Sequence, residues 1–272
     1  MSRNLVKGLR LARTKGATMS ESSKIAVVTG ASSGIGAATS LLFAKNGYQV
    51  IAGARRLDRL QTLAATNSNI EVHELDVTNQ GSVDKFVQAL NGRAVDVLIN
   101  NAGGAFDSSS VLDSDPAMWT KSYEVNVIGT LRMTKAIAPS MIANGNGHIV
   151  IISSTAGHVA YENGGSYVAA KFAERSLANT LRLELNGTPI RVTEIAPGMV
   201  KTEEFALNRN SGDSAKAAKV YEGVENPLTA EDIADSIFWT ASVPAHVNID
   251  SLVIRPVAQA ANHKVFRGPF TK

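Results

Sequence analysis

Cysteine is absent from all 272 residues. Disulfides and thiolate-held zinc are therefore excluded, a composition that suits a cytoplasmic protein. Histidine is scarce too. His73, His148, His158, His246 and His263 stand apart, with no pair at ligand spacing, and no metal site is expected. No apolar run approaches the ~20 residues of a membrane-spanning helix, so no membrane partner is expected. No stretch rich in proline, glycine and serine divides the chain, and there is no internal repeat. Acid is missing from residues 1–18, which hold Arg3, Lys7, Arg10, Arg13 and Lys15. Setting those five bases aside turns the formal net charge from +3 to −2. The body of the chain is thus slightly acidic, and no nucleic acid partner is expected.

Three readings of the basic segment stand side by side: an organelle presequence, a basic arm for a membrane or nucleic acid, or an extension upstream of a start at Met19. The third is preferred, because the first strand-like run opens at Ile25. In each case residues 1–23 are expected to be a disordered or loosely attached extension.

What is present is a regular alternation. Ile25–Thr29, Gln49–Ala52, Ile70–Leu75, Val95–Ile99, His148–Ile152, Arg191–Ile195 and Ser251–Arg255 read as short apolar strands. Helical patterns fill 34–46, 56–66, 79–90, 116–143 and 164–186. Asp115-Pro116 opens the fourth, and Thr229-Ala-Glu-Asp232 resembles a capping box leading to about Ala241. Strict β/α alternation predicts an α/β fold, a Rossmann-like doubly wound parallel sheet with helices on both faces. One domain is expected over 24–257, with a tail at 258–272. The polar stretch Pro197–Pro227 reads as a loop with short helices over a site, or as a solvated connector.

The first strand runs into Thr29-Gly-Ala-Ser-Ser-Gly-Ile-Gly36. Gly30, Gly34 and Gly36 permit a tight turn and close approach to a pyrophosphate. Ser32, Ser33 and Ile35 lie between them, at a helix start whose N–H groups attract anions. The second strand ends in Arg55 and Arg56 where an acid would bind a ribose hydroxyl. Guanidinium groups suit a 2′-phosphate, so NADP(H) is preferred over NAD(H). Asp76, before Val77, is placed to accept from an adenine amine or to cap the next helix. Asn100-Asn-Ala-Gly103 ends the fourth strand, where ligands lie in open α/β sheets; Asn100, Ala102 and Gly103 are candidates there. Asn126 falls in a helical pattern and needs a partner if buried.

Tyr167 and Lys171 are one helical turn apart in Tyr-Val-Ala-Ala-Lys, with Ser154 thirteen residues upstream. A phenol titrates near ~10, and a cation on the same helix face would favour its ionised form. A nearby hydroxyl can hold the substrate oxygen while a proton moves.

In this order, Thr29–Gly36, Asn100–Gly103, Asn126, Ser154, Tyr167, Lys171 and Pro197-Gly198 resemble the short-chain dehydrogenase/reductase superfamily over roughly 24–257. The resemblance implies an oxidoreductase that interconverts a secondary alcohol and a carbonyl. It implies Tyr167 as general acid/base, with Lys171 depressing its pKa and holding the nicotinamide ribose. Ser154 would bind the substrate oxygen, and Asn126 would position a water between Lys171 and solvent. Pro197, Gly198, Val200 and Thr202 would frame the nicotinamide. A homo-oligomer, usually a tetramer, is implied as well. Gly53–Leu60, Ser154–Gly157 and Pro244–Ile249 resemble NADP-dependent 3-hydroxy acid and serine/allo-threonine dehydrogenases. A small 3-hydroxy acid or β-hydroxy amino acid is therefore the expected substrate. Its carboxylate needs a cation, for which Arg209 and Lys201 are the candidates. The alternatives are a reductase of bulkier carbonyls such as 3-oxoacyl thioesters, and a catalytically inactive nucleotide-sensing or scaffold protein.

Overall fold

The computed structural model describes residues 23–210 and 212–270; the basic segment lies outside them. Seven parallel strands form one sheet: β1 (Ile25–Thr29), β2 (Gln49–Ala54), β3 (Ile70–Glu74), β4 (Val97–Asn100), β5 (Gly147–Ile152), β6 (Ile190–Pro197) and β7 (Ser251–Ile254). Their spatial order is β3-β2-β1-β4-β5-β6-β7. Val27 pairs with Ile51 on one side and Leu98 on the other, and Leu98 with Ile149. The central strands are buried on both faces, which is why they read as continuous apolar runs rather than alternating ones.

Two cores follow from the two-residue period of the strands. Ala26, Val28, Val50, Ile99 and Val150 face α1 (Gly34–Lys45), α2 (Leu57–Ala64) and α9 (Ala230–Ser242) through Phe43, Leu60 and Ile237. Val27, Ile51, Leu98 and Ile149 face α3 (Gln80–Ala89), α5 (Gly129–Ala143) and α6 (Gly165–Glu184) through Phe86, Met133, Ile137 and Ala178. The strand order reverses between β1 and β4, β2 and β3 being added on one side and β5 to β7 on the other. That switch point opens a crevice at the carboxyl ends of the two strands.

The expected single helix over 116–143 is not continuous. Asp115 caps α4 (Pro116–Tyr123) by accepting from the Ala117 amide at 2.8 Å. A π-helical turn then spans Glu124–Ile128 before α5 begins. Such a turn inserts an extra residue, which the apolar pattern of a helix does not register. Beyond β6, the stretch read as a loop with short helices carries α7 (Phe205–Arg209) and α8 (Ser214–Tyr221). A parallel bridge between Val200 and Leu228 closes its base. The Thr229–Asp232 capping box opens α9 as read from the sequence. The tail carries an antiparallel hairpin, β8 (Gln259–Ala261) and β9 (Lys264–Val265).

Candidate active site

The glycine loop is held from below. The Thr29 hydroxyl accepts from the amides of Asn101 and Ala102 at 3.0 and 2.9 Å. The Asn101 side chain donates to the carbonyls of Thr29 and Gly30 at 2.9 and 3.2 Å. Thr29 and Asn101 lie inside the two sequence motifs, but neither is named there as a binding residue. Asn100, which was, turns away and donates to the Thr134 hydroxyl at 3.2 Å. Side chains have no room here. A Cβ on Gly36 would stand 2.4 Å from the Gly30 carbonyl oxygen, and Gly30 itself has φ of +66°. The loop therefore presents backbone, and the first turn of α1 contains no acid to repel an anion.

At the end of β2, Arg56 donates to the hydroxyls of Ser32 and Ser33 at 2.9 and 3.1 Å. It also forms an ion pair with Glu204, which Arg59 joins at 2.7 Å. The Arg56 hydrogen bond, with the neighbouring charges, holds the Glu204 carboxyl below its ordinary range. This latch ties the segment after β6 to the glycine loop. Arg55 lines the same cavity, which measures about 810 Å³. Asp76 also lines it, but one oxygen accepts from the Thr78 amide and hydroxyl at 2.9 and 2.7 Å. The N-cap of α3 is Asn79, so Asp76 organises a turn rather than capping the helix. These residues fit a dinucleotide: the backbone cradle would suit a pyrophosphate, and Arg55 and Arg56 on the cavity wall would suit a 2′-phosphate.

At the other end of the cavity, Ser154, Tyr167 and Lys171 come together and are all buried. Ser154 caps a short 3₁₀ turn, Thr155–Gly157, accepting from the Ala156 amide at 3.1 Å. Its hydroxyl donates to the Pro197 carbonyl at 3.3 Å and stands close enough to Tyr167 to lower the pKa of the phenol. The Lys171 ammonium lies 5.6 Å from the centre of the Tyr167 ring. It donates to the Ile152 carbonyl at 2.9 Å and to Glu174 at 2.5 Å. The expected depression of the Tyr167 pKa does not result from this arrangement. Burial raises the phenol above its ordinary value, Ser154 pulls it down, Glu174 pushes it up and Arg209 pulls it down. The charge of Lys171 is offset by its carboxylate partner.

Asn126 sits in the π-helical turn, fully buried. Its side chain donates to the carbonyls of Ser122 and Gly104 and accepts from the Gly104 amide, at 2.7, 3.0 and 3.0 Å. Both amide protons and one lone pair of the amide oxygen are thus engaged with protein. It shapes the Gly103-Gly104 corner, and its amide oxygen keeps one lone pair on the side of Gly103, where Lys171 also lies. Gly103 meets both residues: a Cβ there would lie 2.5 Å from Asn126 Oδ1 and 3.6 Å from Lys171 Nζ.

Pro197, Gly198, Val200 and Thr202 line the middle of the cavity. The Gln259 side chain of the tail accepts from the Met199 amide at 2.8 Å, where a Cβ on Gly198 would collide with it. The tail residues Asn262 and His263 also reach the cavity wall, which the composition of the tail did not signal. Arg209 lies over the Tyr161 ring at 5.2 Å and donates to the Asn163 carbonyl at 3.1 Å, inside the cavity. Lys201 does not line it. Its amide bonds the Leu228 carbonyl at 2.7 Å beside the closing bridge, and the residue is exposed. As a carboxylate ligand it is set aside.

A hydroxyl, a phenol and a lysine meet a glycine-rich cradle at one crevice of a parallel sheet. The family model for short chain dehydrogenase matches residues 24–212. The chain belongs to the short-chain dehydrogenases. These are oxidoreductases, and curated relatives share nearly the full length. An NADP-dependent 3-hydroxy acid dehydrogenase of Salmonella typhi is 39% identical over 239 residues, 87% of this chain and 96% of its own. An uncharacterised oxidoreductase of Mycobacterium tuberculosis strain H37Rv is 46% identical over 244 residues, 90% of this chain and 95% of its own. Among solved structures, the closed form of a serine dehydrogenase complexed with NADP+ has a TM-score of 0.84 and 38% identity. It covers 87% of this chain and 96% of its own. Among the described residues of this short-chain dehydrogenase, no helix is long and apolar enough to cross a membrane, and no cluster of metal-ligating side chains occurs.

Proposed function

We propose that the chain is an NADP-linked dehydrogenase of small 3-hydroxy acids or β-hydroxy amino acids. The observation that carries the substrate class is the placement of Arg209. Its guanidinium lies in the cavity against Tyr161, and its positive charge is felt by the phenols of both Tyr161 and Tyr167. A carboxylate bound there would hold a β-hydroxyl within reach of the proton-transferring groups. The 39% identical 3-hydroxy acid dehydrogenase and the serine dehydrogenase with NADP+ support the same substrate class and cofactor.

Ser154 holds the substrate oxygen, and Tyr167 exchanges a proton with it. Lys171 has two of its ammonium protons engaged by Ile152 and Glu174, leaving one for a ribose hydroxyl. The nicotinamide, when bound, supplies or accepts the hydride. The chain's part is to orient the reacting groups beside it.

Arg209→Ala tests the substrate class. A hydrogen-bonded charge pair contributes about 1.5–3 kcal/mol, so kcat/KM for hydroxy acids is expected to fall about 10- to 100-fold. An uncharged ketone should lose less than about threefold. Equal losses on both would remove Arg209 from the carboxylate site.

Assembly as a homotetramer and a cytoplasmic location belong to the same proposal. Tyr123 on α4 and Phe172 and Leu183 on α6 leave apolar surface exposed for such contacts. Light scattering is expected to give about four times the 28.7 kDa chain mass. A monomeric mass would end that part.

A further inference from the structure

Glu174 lies three residues beyond Lys171 on α6, and no step described above uses it. Its side chain is 1% exposed. Burying a carboxylate is costly unless it is paired and hydrogen-bonded. The groups around it come from four elements. On α6, its Oε2 accepts from Lys171 at 2.5 Å. From α5, the Thr130 hydroxyl donates to Oε1 at 3.3 Å. From β5, the Ile152 carbonyl accepts the second Lys171 proton at 2.9 Å. From β6, Glu194 raises the Glu174 pKa through its charge. Glu194 accepts from the Ser251 hydroxyl at 2.8 Å and faces His158 at 3.1 Å. Beyond Lys171 stands Tyr167, with Tyr161 and Arg209 past it.

The buried side of the ammonium is therefore fixed by two acceptors, one of them charged. A neutral acceptor would orient Lys171 equally well. A carboxylate also cancels much of the field that Lys171 exerts on the phenol. We propose that Glu174 is a positioning residue for proton transfer, which fixes the Lys171 ammonium, offsets its charge, and thereby sets the pH at which Tyr167 exchanges its proton. The proposal rests on Tyr167 as the proton-transferring group. Burial is the largest influence on Glu174 and raises its pKa, while Lys171 and Thr130 pull it back toward the ionised form.

The sign follows from charge. A negative Glu174 opposes the negative phenolate, so removing that charge favours the phenolate. Glu174→Gln keeps the shape and one acceptor for Lys171, while its amide N–H can donate to the Thr130 hydroxyl. The alkaline-rising limb of kcat/KM for alcohol oxidation is expected to move down by about one pH unit, a tenfold gain below the wild-type limb. Carbonyl reduction should lose its acid form over the same interval. The ultraviolet band of ionised tyrosine should move in parallel in the cofactor-free protein, and should lose that component when Tyr167→Phe is added. Glu174→Asp keeps the charge and is expected to shift less than half as far.

Superimposable wild-type and E174Q profiles would overturn the proposal, as would equal shifts in E174Q and E174D. If E174Q does not fold, Thr130→Val reads the same contact with the carboxylate in place. It weakens the ionised form, so a smaller shift in the same direction is expected, and no shift would overturn the proposal. Loss of activity in Tyr167→Phe with no shift in E174Q would sink only the role of Glu174. Full activity in Tyr167→Phe would instead sink the reading on which it rests.

Discussion

Replacing Tyr167 by Phe is expected to lower kcat by about 100-fold or more, the usual contribution of a positioned acid or base. The change removes one oxygen and little else. The ring packs edge-on against Phe205 at 5.6 Å between centres, a contact that Phe would keep. Folding and cofactor binding should therefore survive. The oxygen matters because a buried phenol next to Ser154 remains protonated at neutral pH, ready to donate to a developing alkoxide. In the opposite direction it must first ionise, so oxidation is expected to gain rate as the pH rises. Nucleotide fluorescence titration together with steady-state rates separates binding from turnover. A variant that binds NADPH normally and keeps more than about a tenth of wild-type kcat would remove Tyr167 from proton transfer.

Removing both guanidinium groups at the end of β2, in Arg55→Ala/Arg56→Ala, is expected to raise the KM for NADPH about 100-fold while NADH changes less than about threefold. Each charge-assisted contact to a phosphate contributes about 1.5–3 kcal/mol. The two arginines differ in preparation. Arg56 is already braced by Ser32, Ser33 and Glu204, so little freedom is lost when an anion arrives. It must, however, share its charge with Glu204. Arg55 lines the cavity and makes no hydrogen bond among the described residues. The single variants should each show about a tenfold effect. A double variant that loses NADPH and NADH equally would mean that these residues support the glycine loop rather than read the 2′-phosphate.

Much of the fold was legible because its signals are local. Apolar runs of strand length, glycines at a strand end and a capping box each declare themselves within a few residues. Tyr167 and Lys171 were legible for the same reason, being one turn apart. The unread features depend on distant partners. Thr29 meets Asn101 and Ala102 about 70 residues away, and Ser33 meets Glu204 across 171. Nothing near Glu204 in sequence reveals that its partner is the glycine loop. Glu174 carries no local signal in the sequence, and only the packing of α5 and β6 around it shows its burial. The π-helical turn at Glu124–Ile128 was hidden because one inserted residue barely disturbs an apolar pattern. Arg209 and Lys201 are the first and second candidates among the cations after β6. The bridge from Val200 to Leu228 separates them, leaving Lys201 outside and Arg209 in the cavity.

One cavity is proposed to bring together NADP, a small hydroxy acid and the proton-transferring phenol of Tyr167. Initial rates of the purified chain with NADP+ and with NAD+ test it, using L-serine, L-allo-threonine and 3-hydroxypropionate beside an uncharged secondary alcohol of similar size. NADP+ with at least one hydroxy acid is expected to give the highest kcat/KM, by about tenfold or more over both NAD+ and the uncharged alcohol. Preference for NAD+, or for the uncharged alcohol over every hydroxy acid, would contradict it.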